Sequence, residues 1–91
     1  MKKENLVWFD TKIMPQSEAK INILSPTSQF GANVFEGIRG YWNDNSQQLY
    51  IFRLEDHTKR LLNSIKMMRF EDKYSFEYLI ECLKETIIKN N

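Results

Sequence analysis

Val34-Phe35-Glu36-Gly37-Ile38-Arg39-Gly40-Tyr41-Trp42, followed by Asn43-Asp44-Asn45-Ser46 and then by Leu49-Tyr50-Ile51-Phe52, is the stretch on which the fold turns. Both flanking runs are rich in β-branched and aromatic residues and the middle is dense in turn formers, so residues 34–52 read as a β-hairpin. Side chains on an extended chain alternate faces. Phe35, Gly37, Arg39 and Tyr41 then share one face, and Val34, Glu36, Ile38, Gly40 and Trp42 the other. Toward the N-terminus, Leu6-Val7-Trp8-Phe9, a turn at Asp10-Thr11-Lys12 and a second arm at Ile13-Met14 ended by Pro15 form another hairpin. Thr11 is a poor choice where a turn requires positive φ, so the turn type stays open. Ser17–Lys20 reads as a short helical turn, and Ser25-Pro26-Thr27-Ser28 as a loop.

Toward the C-terminus the period changes to that of helices. In Glu55–Met68, Leu61, Ile65 and Met68 recur on one face, with Glu55 and Asp56 near the positive end of the helix dipole. Ser75 is a candidate N-cap for a helix over Phe76–Lys89, where Phe76, Leu79, Ile80, Leu83 and Ile87 align. The expected fold class is α+β: an antiparallel sheet built from hairpins, with two C-terminal helices packed on it.

Composition narrows the function classes. The chain has 91 residues, 42% apolar and 27% charged, within the globular range. A chain of this size buries only about 60–65% of the surface its unfolded form exposes. Thirteen basic and twelve acidic residues nearly cancel, so there is no basic excess for nucleic acid or an anionic membrane. Cys82 and His57 are each the sole residue of their type, which rules out an intrachain disulfide and argues against a metal site. The apolar runs stop after four residues, too short for a membrane span or a signal peptide, and the expected location is cytoplasmic.

Two clusters carry candidate chemistry. A glycine inside a strand marks either a bulge or a close approach by a ligand. Beside the gap at Gly37, Arg39 could bind a carboxylate through paired hydrogen bonds, with Phe35 as an apolar wall; the plainer alternative is a mixed, partly exposed sheet face. Glu36 is out of place on an apolar face and suits pairing with a cation or with backbone N–H groups better than acid catalysis. Arg60 lies about one turn into the first long helix, where it either meets an anion or pairs with Asp56 at i, i+4. His57 reads as a surface or half-buried helical residue.

The run Phe30-Gly31-Ala32-Asn33-Val34-Phe35-Glu36-Gly37-Ile38-Arg39 resembles the signature segment of branched-chain amino acid aminotransferases, enzymes of the class IV pyridoxal phosphate fold. Phe52-Arg53-Leu54-x-x-His57-x-x-Arg60-Leu61-x-x-Ser64 resembles the next segment of the same family, and Val7–Ile13 its first hairpin. Nearly the whole chain is covered, with the motifs in order.

This resemblance implies that residues 1–91 are the N-terminal small domain, without the large domain whose lysine binds the cofactor covalently and moves the substrate proton. No lysine here lies in a matching motif, so no catalytic residue is assigned and the chain is expected to be inactive, and not to hold pyridoxal phosphate, by itself. Arg60 matches the arginine that binds the cofactor phosphate. Phe35 and Gly37 match pocket-lining positions, Phe30 stands where the family carries a tyrosine, and Arg39 matches an arginine near the site. The parent reaction is amino transfer between a branched-chain amino acid and 2-oxoglutarate, in a homodimer. The alternatives are a fragment of a D-amino acid aminotransferase or of an aminodeoxychorismate lyase, or a non-catalytic domain that self-associates or binds a partner.

Overall fold

The computed structural model describes residues 3–71 and 73–90. In chain order the elements are β1 (Leu6–Phe9), β2 (Lys12–Pro15), a 3-10 turn (Gln16–Glu18), α1 (Pro26–Phe30), β3 (Gly40–Asn43), β4 (Gln48–Ile51), α2 (Leu54–Met67) and α3 (Phe76–Lys89). The class is α+β, and its two hairpins are separate two-stranded antiparallel sheets. The chain divides into two compact units, one formed by Met1–Asn33 with Glu81–Asn91, the other by Val34–Ile80.

In the first unit β1 and β2 pair with Leu6 opposite Pro15 and Phe9 opposite Lys12. Asp10 and Thr11 between them have φ of 48° and 72°. Two positive φ values in a two-residue loop make a type I′ turn, whose twist matches that of paired strands. Holding a β-branched residue there costs roughly 1–2 kcal/mol. The helical turn anticipated at Ser17–Lys20 is the 3-10 turn one residue earlier, tied down by the Ser17 N–H, which donates to Glu4 Oε1 at 2.6 Å.

The loop anticipated at Ser25–Ser28 is instead the start of helix α1. Ser25 Oγ accepts from the Ser28 N–H at 3.3 Å, Pro26 occupies the first turn, where its missing N–H costs nothing, and Gly31 ends the helix with φ 64°. At the far end of the chain, Asn90 joins the first strand. Its Oδ1 accepts from the Leu6 N–H at 2.7 Å, and its Nδ2 donates to the Leu6 carbonyl at 2.8 Å. The side-chain amide thus pairs with Leu6 as a neighbouring strand would.

In the second unit Gly40 faces Ile51 and Asn43 faces Gln48. Gly40 is closely packed: a Cβ there would lie 3.3 Å from Leu49 Cδ1, so a larger residue would oblige that side chain to shift by a few tenths of an ångström. The hairpin loop closes on Asn43, whose Oδ1 accepts from the N–H groups of Asn45 and Ser46 at 2.9 and 3.1 Å. Regular pairing begins at Gly40, not at Val34 as the sequence suggests. The partner strand runs out: Phe52 N–H still donates to the Arg39 carbonyl at 2.8 Å, but Arg53 then turns into the left-handed region, at φ 51° and ψ 44°, and the chain enters α2.

The helices match their expected spans to within a residue. In α2, Leu61 and Ile65 are half-buried, while Met68 lies just beyond the helix and is exposed. Thr58 is fully buried, with its hydroxyl donating to the Leu54 carbonyl at 2.8 Å. Lys59 Nζ stands 5.9 Å from the centre of the Phe76 ring, a cation–π contact between the start of α3 and α2. Ser75 caps α3 as expected, accepting from the Tyr78 N–H at 3.1 Å.

Candidate functional site

Residues 34–39 have no regular partner strand, yet they keep the alternation of an extended chain. Val34, Glu36 and Ile38 are half-buried, whereas Phe35, Gly37 and Arg39 are exposed, Phe35 to 84%. A Cβ built on Gly37 meets nothing within 4 Å, so no group among the described residues demands glycine there. Tyr41 is exposed like the other three, but from Gly40 onward so are its neighbours, and the alternation ends. Phe30, the last residue of α1, is 79% exposed.

Glu36 is the centre of a three-residue polar cluster in the second unit. Its Oε2 accepts from Arg60 Nε at 2.7 Å and its Oε1 from Arg60 Nη2 at 2.6 Å, two parallel bonds that match the guanidinium fork. His57 Nδ1 lies 2.8 Å from the same Oε1. The Glu36 side chain is 7% exposed and that of His57 19%, while that of Arg60 is 66% exposed. The Arg60 hydrogen bonds, followed by that of His57, hold the Glu36 carboxyl down at about 2 against an ordinary 4.5. An ionised carboxylate only accepts, so the Nδ1 of His57 carries the proton of that contact.

The cation suited to Glu36 is therefore Arg60, and the alternative i, i+4 pair between Arg60 and Asp56 does not form. Asp56 is taken by Arg53 Nε at 2.7 Å. Arg60 meets the 34–39 segment on the Glu36 side, not on the exposed side of Phe35, Gly37 and Arg39. Sequence reasoning placed Glu36 on an apolar face but missed both of its partners. The signal available was the mismatch itself, since a carboxylate there needs a cation or N–H donors.

Phe52, Arg53, Asp56, His57 and Arg60 line a cleft of about 370 Å³ at the N-terminal end of α2. No side chain caps this helix end, because the N-cap residue is Arg53 in its left-handed conformation. The first N–H groups of a helix and the positive end of its dipole favour an anion. Glu36 occupies two of the five guanidinium donors of Arg60, leaving three. These groups suit an oxyanion such as phosphate.

Solved structures supply the deciding observation. The branched-chain aminotransferase of Thermoproteus uzoniensis, solved with norvaline, superimposes with a TM-score of 0.90 at 42% identity, over 98% of this chain and 29% of that one. The chain is related to the branched-chain aminotransferases. The branched-chain amino acid aminotransferase of Thermobaculum terrenum, solved in its holo form with pyridoxal phosphate, matches with a TM-score of 0.85 at 31% identity, over 100% of this chain and 30% of its own. A further structure of such an enzyme, complexed with N-(5'-phosphopyridoxyl)-L-glutamate, matches with a TM-score of 0.88 at 40% identity. Among sequences, the probable branched-chain-amino-acid aminotransferase of Aquifex aeolicus is 41% identical over 86 residues, 94% of this chain. The Escherichia coli K12 branched-chain-amino-acid aminotransferase is 36% identical over 90 residues. No family model matches. The chain spans about 28% of the length of these last two aminotransferases and corresponds to their N-terminal portion. Pyridoxal phosphate is the cofactor of the family.

Proposed function

We propose that residues 1–91 serve as the small domain of a branched-chain amino acid aminotransferase that exchanges an amino group between a branched-chain amino acid and 2-oxoglutarate. The observation that carries this reading is the arginine-lined cleft at the uncapped start of α2, in a chain whose relatives bind a phosphorylated cofactor. When bound, pyridoxal phosphate supplies the electron sink that stabilises charge at the substrate Cα. Arg60 holds its phosphate through the guanidinium donors that Glu36 leaves available, assisted by the first N–H groups of α2. Phe35 offers an apolar wall and Gly37 an open stretch of backbone to the substrate side chain, with Arg39 beside them as a positive charge; Phe30, of the first unit, is a substrate-binding residue by family resemblance alone.

By this reading the 91-residue chain is inactive alone, because the cofactor-binding lysine belongs to a larger domain. The working enzyme is a cytoplasmic homodimer. The exposed apolar side chains, Ile23 at 78% and Leu24 at 70% besides Phe30 and Phe35, fit surface covered by further protein, whether the larger domain or a second copy, and leave the location untouched. Among the described residues no helix is long and apolar enough to cross a membrane.

The test is an assay of leucine with 2-oxoglutarate, using the purified chain and an intact enzyme carrying it. Turnover is expected only from the intact enzyme. Borohydride reduction should leave no stoichiometric cofactor adduct on the chain alone. Turnover by the 91 residues would overturn the assignment.

A further inference from the structure

Glu36 has no place in the chemistry described above. The reading above gives it no contact with cofactor or substrate, yet its side chain is only 7% exposed and spends both oxygens on residues of α2. We propose that Glu36 is a positioning residue for the anion-binding arginine. Its carboxylate grips one edge of the Arg60 guanidinium so that the opposite edge is presented, already oriented, to the cofactor phosphate. The proposal rests on the assignment of Arg60 to that phosphate.

Three features of the geometry support it. An arginine side chain that is 66% exposed has many rotamers available, and holding it in one costs entropy at the moment of binding unless it is held beforehand. The two parallel bonds from Glu36 fix the plane of the guanidinium as well as its location, which a single contact cannot do. The carboxylate is itself prevented from rotating, because His57 shares Oε1 with Arg60. His57 and Arg60 lie three residues apart on α2, so they face the same way and Glu36 is clamped by both. The charge of Glu36 also offsets that of Arg60, and so binding depends on donor geometry more than on net attraction.

The experiment uses the intact enzyme carrying this chain, freed of cofactor, with Glu36→Gln, Glu36→Asp, Arg60→Ala and the Glu36→Gln/Arg60→Ala double variant. Each is titrated with pyridoxal phosphate and, separately, with pyridoxal, which lacks the phosphate. Glu36→Gln should weaken pyridoxal phosphate about tenfold, the scale of one charge-assisted contact, and leave pyridoxal unchanged. Glu36→Asp, which keeps the charge but shortens the reach, should give a smaller loss confined to the phosphorylated ligand. The double variant should bind no more weakly than Arg60→Ala alone.

Equal weakening of both ligands by Glu36→Gln would make Glu36 a merely structural residue and overturn the proposal. So would additive losses in the double variant. If Glu36→Gln does not fold, the Glu36→Asp titrations decide by the same criterion. Should Arg60→Ala leave the preference for the phosphorylated ligand intact, the assignment of Arg60 itself fails. Loss of that preference in Arg60→Ala but not in the Glu36 variants defeats the positioning role alone.

Discussion

Glu36 and Arg60, 24 residues apart in sequence, meet through two parallel hydrogen bonds of 2.6 and 2.7 Å, with the carboxylate nearly enclosed and the guanidinium largely open. One residue is thus held while the other remains accessible, which sets the expectations for both.

Stability in acid should depend on Glu36. Its carboxyl is depressed in the folded chain, so its contribution is full above the ordinary value of 4.5, declines as pH falls through that value and is lost by about 2. Urea midpoints of the wild type and of Glu36→Gln should therefore converge between pH 4.5 and about 2 and stay apart above that range. The carboxyls of Glu4, bonded to Ser17, and Asp56, bonded to Arg53, are lowered as well but occur in both chains, so the difference isolates Glu36. A gap that does not change with pH would show that the pair contributes nothing through charge.

Arg60→Ala in the intact enzyme should weaken pyridoxal phosphate roughly ten- to a hundredfold, the range for losing hydrogen bonds to a charged group. Absorbance titration of the cofactor-free enzyme measures this. Unchanged affinity would leave the Glu36 contact as the only role of Arg60.

Thr11→Gly should stabilise the chain by about 1 kcal/mol, because glycine adopts positive φ without the steric cost that a β-branched residue incurs. A shift of the denaturation midpoint to higher urea at unchanged slope is the expected result. A lower midpoint would mean that the added freedom of the unfolded chain outweighs the relief of the turn.

Ser25→Ala and Ser75→Ala each remove an oxygen that accepts a helix N-terminal N–H, and each should cost about 1 kcal/mol. Loss of far-UV helical signal at intermediate urea would report it. The effect should be clearer at Ser75, because α3 has fourteen residues and α1 only five.

Much of this structure is legible in the sequence because local physics decides it. The span of α3 follows from its cap and its apolar period, and the first hairpin follows from two apolar arms around a turn. Helix α1 reads as a loop, because a stretch of five residues carries no apolar period; its only signals are Ser25 at the cap, Pro26 in the first turn and Gly31 at the end. The late start of β3 was not legible, since pairing depends on where the partner strand ends, and that is set by the left-handed turn at Arg53. The Glu36–Arg60–His57 arrangement needs two segments brought together in space. The sequence shows only that Glu36 needs a cation or backbone N–H groups as partners, not which of several candidates reaches it.

The amide of Asn90 closes onto the backbone of Leu6 across 84 positions of chain. A ribosome releases the first hairpin long before it releases Asn90, so that hairpin waits without its final neighbour while everything between is made. Val34–Ile80 is continuous and needs no such delay. During synthesis Val34–Ile80 is therefore complete before Asn90 is made, whereas the contact of Asn90 with Leu6 closes only afterwards, across 84 positions of chain.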